Sequence, residues 1–348
     1  MAKETTFQKI VATACAAACC WLFADFTRAD EPAILRAARV IQSGTPDEHQ
    51  PAVITGVSIT PDGRTIAAAT DDHCVIVCDV DKPEEMTRLA GHADWVRAVG
   101  LSPDGKMLAS GAGDHSICLW DITRREQVFQ TAACDNAIAA VCFHPNSQQV
   151  AVVGFSRGMQ IVNTSSGHPS QQLACPCGDV RTVVFSPDGS RLAAAGRNGR
   201  VRIWNVIDGS RERDIATDRR RIRALAFSPD GRQLAAAGTS SEIRIFDVES
   251  GEEVIKLETR PAKVHALLFL NDATLATGGT DNRISIWDLN TRQVTRRLEG
   301  HTGTVAALAC DASGQLLVSG SYDTTLRVWK LDDSATPEVA RSTSEAVR

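Results

Sequence analysis

The side chains of this chain that could do chemistry are its cysteines, its histidines and one run of arginines. The 11 cysteines contain no C-x-x-C, no C-x-x-C-H and no Cys/His cluster at zinc spacing, so neither a metal staple nor a covalent haem is indicated. Cys74, Cys78, Cys118, Cys142 and Cys310 fall inside predicted strands, where a free cysteine behaves as a small buried hydrophobe. Cys175 and Cys177, with Cys134 roughly one repeat earlier, sit in loops and are the candidates for a disulfide. His73 and His115 each follow a turn aspartate on adjacent loops; with no third ligand in view they read as surface residues. Arg219-Arg220-Arg221, with Arg223, is the densest positive stretch, and such a run suits an acidic peptide, a phosphorylated partner or nucleic acid. No aromatic platform is interleaved with it, so it reads as a solvated loop. There is no Walker glycine loop, H-E-x-x-H, nucleophile elbow or kinase signature. Local motifs therefore disfavour an enzyme, although residues assembled from distant segments leave no local motif.

The chain has 348 residues, 43% hydrophobic, 23% charged and 5% aromatic, with a formal net charge of -5, the profile of a globular protein with a sizeable core. Disorder, collagen and a multispan membrane protein are excluded. A pI near 5.9 argues against a protein built to coat DNA or RNA, because that binding rests on Lys and Arg neutralising phosphates. Residues 1–29 differ from the rest: Lys3 and Lys9 precede an apolar run from Ile10 to Ala24, and Thr27-Arg28-Ala29 leads into Asp30-Glu31-Pro32. This resembles a secretory signal peptide, with a charged start, an apolar centre and a small residue at the cut. The run falls short of the about 20 apolar residues that a membrane span needs. The expected location is therefore periplasmic or extracellular, with the cytoplasm as the alternative. Membrane attachment would require the leader to stay uncleaved or Cys19 to be lipidated.

A repeat fills most of the chain. Cys78-Asp79, Trp120-Asp121, Val162-Asn163, Trp204-Asn205, Phe246-Asp247, Trp287-Asp288 and Trp329-Lys330 follow one another at spacings of 42, 42, 42, 42, 41 and 42. A second landmark holds the same register, in Thr60-Pro61-Asp62-Gly63, Ser102-Pro103-Asp104-Gly105, Ser186-Pro187-Asp188-Gly189 and Ser228-Pro229-Asp230-Gly231, with degenerate copies from His144, Leu270 and Asp311. A period of this size means a solenoid, a propeller or an array. Within each copy, short strand-like runs such as Arg223 to Phe227, Gln233 to Ala237 and Glu242 to Val248 are punctuated by turn chemistry, and no run shows helical periodicity. About ten residues per strand and turn gives four strands per copy. The predicted fold is all-β: a seven-bladed β-propeller of four-stranded antiparallel blades, each blade covered by its neighbours.

At these residues the chain resembles the WD-repeat family of β-propellers, from about residue 33 to 333. Gly91-His92 and Gly300-His301 stand where that family carries its Gly-His pair. The resemblance implies a buried tetrad of His, strand Ser or Thr, turn Asp and Trp: His92, Ser110, Asp114 and Trp120 in copy two, and His301, Ser319, Asp323 and Trp329 in copy seven. Copy six keeps Thr277, Asp281 and Trp287 but has Arg260 near the His position; the other copies carry Asp72, Ser156, Asn198 and Ser240 in the Asp slot. The His and Asp residues look like catalytic pairs, yet a buried carboxylate needs donors, and that makes the tetrad structural.

Copy seven ends after its third strand. The unclaimed stretch Ala33 to Gln42 is expected to supply the fourth, closing the ring, with 334–348 a disordered tail. The organisation is thus a leader over 1–29 and a propeller over 30–333, with repeats of about 53–92, 93–134, 135–176, 177–218, 219–260, 261–301 and 302–333. The second residue of each innermost strand runs Thr55, Arg97, Ala139, Arg181, Arg223, His265 and Ala306, and the residue before the turn Asp slot runs Asp71, Gly113, Phe155, Arg197, Thr239, Thr280 and Tyr322. In WD-repeat proteins both slots commonly face the partner, which implies a contact surface of Arg97, Phe155, Arg181, Arg197, Arg223 and Tyr322, with Trp95 beside it. A bulge in the first strand would re-aim its second residue. The function expected is a non-enzymatic scaffold that docks a protein or peptide, acidic partners included, at the propeller mouth, without cofactor, metal or nucleic acid. Two alternatives stand beside it: an exported propeller that binds or hydrolyses a small molecule, and a regulatory subunit of a cytoplasmic complex.

Overall fold

The computed structural model describes residues 32–44 and 51–331, apart from 133–134, 156–157, 176–177, 219 and 260–261. The apolar leader, the tail, Cys134, Cys177, Arg219 and Arg260 lie outside the described residues. From Ile34 onward the described chain is one compact unit. No helix among the described residues is long and apolar enough to cross a membrane.

Seven antiparallel sheets follow one another along the chain, each with its first strand innermost. These inner strands are Ile54–Ile59, Val96–Leu101, Ile138–Phe143, Val180–Phe185, Ile222–Phe227, Val264–Asn271 and Val305–Cys310, and the buried Ile or Val that opens each one marks the 42-residue period. The ring is a seven-bladed propeller. Small residues fill the second strands of blades one, four and five, for example Ala67, Ala68 and Ala69 in blade one and Ala235, Ala236 and Ala237 in blade five, all buried. Small side chains are required there because a second strand near the axis is covered on both faces by neighbouring blades.

The apolar cores accordingly lie between blades. Ala67, Val75 and Leu89 of blade one pack with Val96, Leu108 and Trp120 of blade two, and Ile54 and Ile66 of blade one pack with Val318, Leu326 and Val328 of blade seven. The last junction depends on one glycine: a Cβ on Gly320 would stand 2.4 Å from Ile54 Cγ2, so any larger residue there would push blade seven off blade one.

The N-terminal segment closes the ring, but not as a single strand. Arg39–Gln42 pairs antiparallel with Thr325–Lys330 as the outer strand of blade seven, as the missing fourth strand required. Ala33–Leu35 instead lies outside Gln293–Leu298 and gives blade six a fifth strand, with the Glu299 amide donating to the Leu35 carbonyl at 3.1 Å. The division has a physical cause. Leu35 and Ala37 pack against the core between blades six and seven, and Ile41, buried, packs into the core between seven and one, so the segment must step across a blade boundary.

Candidate functional site

Every inner strand carries a register shift at the same place. Ile54 pairs with Thr70 and Gly56 with Ala69, leaving Thr55 unpaired; the same step skips Arg97, Ala139, Arg181, Arg223, His265 and Ala306. A bulge of this kind turns the extra residue out of the ladder. All seven of these residues line one central cavity of about 370 Å³ at the end of the channel where the inner strands begin.

The second slot is held at the same end by a repeated backbone hydrogen bond. The amide of Asp71, Gly113, Phe155, Arg197, Thr239, Thr280 and Tyr322 donates to the carbonyl of Val53, Trp95, Ala137, Asp179, Arg221, Lys263 and Thr304 respectively, at 2.9 to 3.2 Å. Each acceptor lies just before its inner strand, so residues 17 or 18 apart along the chain are brought together within one blade by the hairpin of its first two strands. Of these residues only Phe155 and Tyr322 reach the cavity wall.

The contact surface inferred from the sequence therefore divides. Arg97, Phe155, Arg181, Arg223 and Tyr322 come together around the cavity. Trp95 stands beside them, half exposed, with the Arg97 guanidinium carbon 6.0 Å from its ring. The same guanidinium lies 5.8 Å from the Phe155 ring, and that of Arg181 lies 4.2 Å from it, so Phe155 is shared between two cations. Arg197 is not part of this group: it is exposed on its turn and does not line the cavity. Arg221, read from the sequence as one of a solvated run, does line it. No sequence signal marks Arg221: the same position, immediately before the strand-opening residue, holds Trp95, Asp179 and Lys263 in other blades, and none of these lines the cavity.

Charge at this mouth is unevenly compensated. Arg181 forms an ion pair with Asp179. Arg97, Arg221 and Arg223 have no ion pair among the described residues, and the Nε atoms of Arg97 and Arg223 are buried without a hydrogen-bond partner. Burial, reinforced by the neighbouring positive charges of Arg221 and Arg181, pulls the Arg223 pKa below the usual arginine value. His265 is driven down to about 4 by burial and by Arg223 and Lys263, which keeps its imidazole neutral at physiological pH.

The His/Asp pairs form a different arrangement. In blade two, His92 Nε2 lies 2.8 Å from Ser110 Oγ, which also accepts from Trp120 Nε1 at 2.8 Å, while His92 Nδ1 is 3.1 Å from Asp114 Oδ2. In blade seven, His301 Nε2 lies 2.7 Å from Ser319 Oγ, Trp329 Nε1 donates to Ser319 at 2.9 Å, and His301 Nδ1 is 2.9 Å from Asp323 Oδ2. Each carboxylate also accepts a backbone amide, Ala93 on Asp114 at 2.8 Å and Thr302 on Asp323 at 2.9 Å. Burial opposes ionisation of Asp323, but donors from Thr325, the Thr302 amide and His301 outweigh it and hold the carboxyl at about 2. These serines are fully buried, so their hydroxyls meet no substrate. Blade six retains the Trp287 Nε1 to Thr277 bond at 3.1 Å. In blade one, Asp72 is ion-paired with Arg88. In blade five, Asp218 and Ser240 exchange the usual places of donor and acceptor.

Among the remaining candidates, Cys78, Cys118, Cys142 and Cys310 are free thiols whose ionisation burial pushes up to about 11, 12, 11 and 11, which fits hydrophobic filling and not nucleophilic chemistry. Cys175 is disulfide-bonded. No group of three or more His, Cys, Asp or Glu suited to a metal ion occurs among the described residues, and His73 and His115 occupy left-handed turn positions at φ 71° and 68°.

Comparison with known proteins agrees with this architecture. A family model described as WD domain, G-beta repeat, matches residues 42–79, 83–121, 159–205 and 292–330. A second, the anaphase-promoting complex subunit 4 WD40 domain, matches residues 212–272. The matches together span well over half of the chain, and with seven blades of this geometry the chain belongs to the WD-repeat β-propeller family. Relatives with local similarity include the pre-mRNA-processing factor 19 of Mus musculus, 33% identical over 73 residues, covering 21% of this chain and 14% of the relative. The periodic tryptophan protein 2 homolog of Neurospora crassa is 47% identical over 58 residues, 16% of this chain and 6% of the relative. The U3 snoRNP-associated protein-like EMB2271 of Arabidopsis thaliana is 41% identical over 58 residues, 17% of this chain and 12% of the relative. The similarity thus spans a small part of each relative's length.

Proposed function

We propose that this propeller is a non-enzymatic scaffold that docks a protein or peptide partner across the channel mouth. The observation that carries the reading is the row formed by Trp95, Arg97, Phe155 and Arg181, with Tyr322 and Arg223 on the far side of the cavity. Arginine and large aromatics are the residue types that dominate binding energy at protein interfaces, because they join wide contact area to directed hydrogen bonds. Here they stand on six-residue strands and tight hairpins, with little conformational freedom to lose. The cavity wall carries guanidiniums, one neutral imidazole, the hydroxyl residues Thr55, Thr182 and Tyr322 and apolar groups, with no carboxylate among the described residues to serve as a general base, which favours docking over hydrolysis of a small molecule.

The test is site-specific photocrosslinking in the native host. A photoreactive residue at Trp95 or Tyr322 is expected to capture the partner, whereas one at Ile207, exposed on the opposite face, is not. Charge reversal of Arg97, Arg181 and Arg223 to Glu is expected to abolish that capture with the melting curve unchanged. Capture from Ile207 alone, or capture that survives the reversal, would sink the reading.

Relatives named for pre-mRNA processing, a U3 snoRNP and a coatomer fit a subunit of an intracellular assembly better than an exported protein. The disulfide at Cys175 speaks for an oxidising compartment instead. Cell fractionation with thiols blocked at lysis, followed by intact mass and N-terminal sequencing, separates the two. An unprocessed cytoplasmic chain is the expected product of the intracellular reading; a form starting near residue 30 outside the cytoplasm overturns it.

A further inference from the structure

We infer that the anchor of the docked partner is a phosphorylated serine or threonine side chain, seated in the channel mouth between the guanidiniums of Arg97, Arg181 and Arg223. The inference rests on the docking function proposed above and adds the chemistry of the group that enters the cavity.

The argument begins with unmet donors. Guanidinium is always charged and carries five N–H groups, and a buried donor left unpaired is costly. Arg97 and Arg223 each keep a buried Nε with no acceptor, and no carboxylate lines the cavity among the described residues. Arg202, Arg244 and Arg327 also keep a buried Nε without a hydrogen-bond partner, but only at Arg97 and Arg223 does the orphaned donor coincide with this central cavity, which an acceptor from outside can enter. Arg221 adds further positive charge to the same wall, and the carboxylates at the strand entrances are engaged elsewhere: Asp179 pairs with Arg181, Asp71 accepts from the Val53 amide and Asp94 from the Trp95 amide.

Geometry selects the anion. The three arginines enter from blades two, four and five, each aimed by the bulge that skips it. A carboxylate offers two coplanar oxygens, suited to the fork of one guanidinium. A phosphate monoester carries about -1.5 to -2 charge and three acceptor oxygens, enough to address donors arriving from separate directions. Trp95 and Tyr322, about half exposed at the rim, offer apolar contact to the residues flanking the phosphate.

A nucleic acid would bring the same phosphates but fits less well. Its backbone needs a continuous basic track, whereas Asp71, Asp94 and Asp179 stand among the inner-strand approaches and the chain as a whole is at -5.

The experiment uses the full chain and three probes: a degenerate phosphoserine peptide library, the same library with serine in place of phosphoserine, and a single-stranded oligonucleotide. The phosphorylated library is expected to bind at least about tenfold more tightly than the unphosphorylated one. Inorganic phosphate is expected to compete and to move the imidazole NMR signal of His265, which lines the same cavity. Arg97→Gln and Arg223→Gln should each remove most of the preference with melting unchanged, while Arg232→Gln, on the opposite face, should not. Equal binding of both peptide libraries, with crosslinking still at Trp95 and Tyr322, overturns the phosphate anchor and leaves the docking function standing. Crosslinking only from the opposite face overturns both. Preferential oligonucleotide binding that needs Arg97 and Arg223 overturns the peptide as ligand.

Discussion

Excising residues 32–44 is expected to lower the unfolding midpoint by about 10 °C, measured by thermal melting of the otherwise full-length chain. Three losses combine. The strand Thr325–Lys330 becomes an open edge, because the Arg39–Gln42 pairing goes, together with the Ala38 amide to Val328 carbonyl bond at 2.8 Å and the Ser43 amide to Thr324 carbonyl bond at 3.1 Å. Ile41 is buried in the core between blades seven and one, and removing a side chain of that size forfeits about 2–3 kcal/mol of burial. Ser43 also braces blade one, donating to the Ala52 carbonyl at 2.6 Å and accepting from Arg88 at 3.0 Å. A total on the order of 5 kcal/mol corresponds to about 10 °C for a chain of this size. An unchanged melt would show that the ring closes without this segment.

Asp323→Ala and Trp329→Ala should be the most damaging single changes in blade seven. The first leaves the Thr302 and Thr325 amides and a buried imidazole without their acceptor, at a cost of about 2–3 kcal/mol. The second opens a cavity at a side chain only 1% exposed and strips Ser319 of its donor, at a cost of about 4 kcal/mol. Acid separates the two. The Asp323 carboxyl titrates at about 2 in the folded chain against an ordinary value of 3.8, so its contribution is complete above 3.8 and disappears as pH falls through about 2. The stability gap between the parent chain and Asp323→Ala should therefore narrow between pH 4 and about 2, whereas the gap to Trp329→Ala should persist. Denaturant titrations at both pH values decide it; a constant Asp323 gap would mean the carboxylate is not held by these donors.

The ring was legible in the sequence because its cause is periodic. A buried Ile or Val must open each inner strand and a turn must close it, so Ile54, Val96, Ile138, Val180, Ile222, Val264 and Val305 fall at nearly constant spacing. The path of residues 33 to 42 was only half legible, since no repeat exists to show where one segment steps from blade six to blade seven. Side-chain direction at the mouth was harder still. Arg197 and Phe155 occupy the same slot, yet Phe155 lies against two guanidiniums while Arg197 has no side-chain partner among the described residues. Arg221 was hidden among its charged neighbours because sequence does not distinguish a solvated arginine from one at a strand entrance. The pairing of Asp72 with Arg88 was equally invisible, being made between residues 16 positions apart that share no motif.

The bulge that recurs in all seven inner strands separates two tasks that most strand residues must perform together. Backbone pairing on either side of the skipped position fixes the blade, so the skipped side chain stands outside the ladder, and Thr, Arg, Ala and His are all accommodated there, with Thr55 donating to the next blade at the Val96 carbonyl. The mouth is in effect a seven-character label written on an invariant frame. Ala139 and Ala306 are its blank characters, and under the docking function proposed above the choice of partner is open to rewriting at those two positions while the architecture is inherited unchanged.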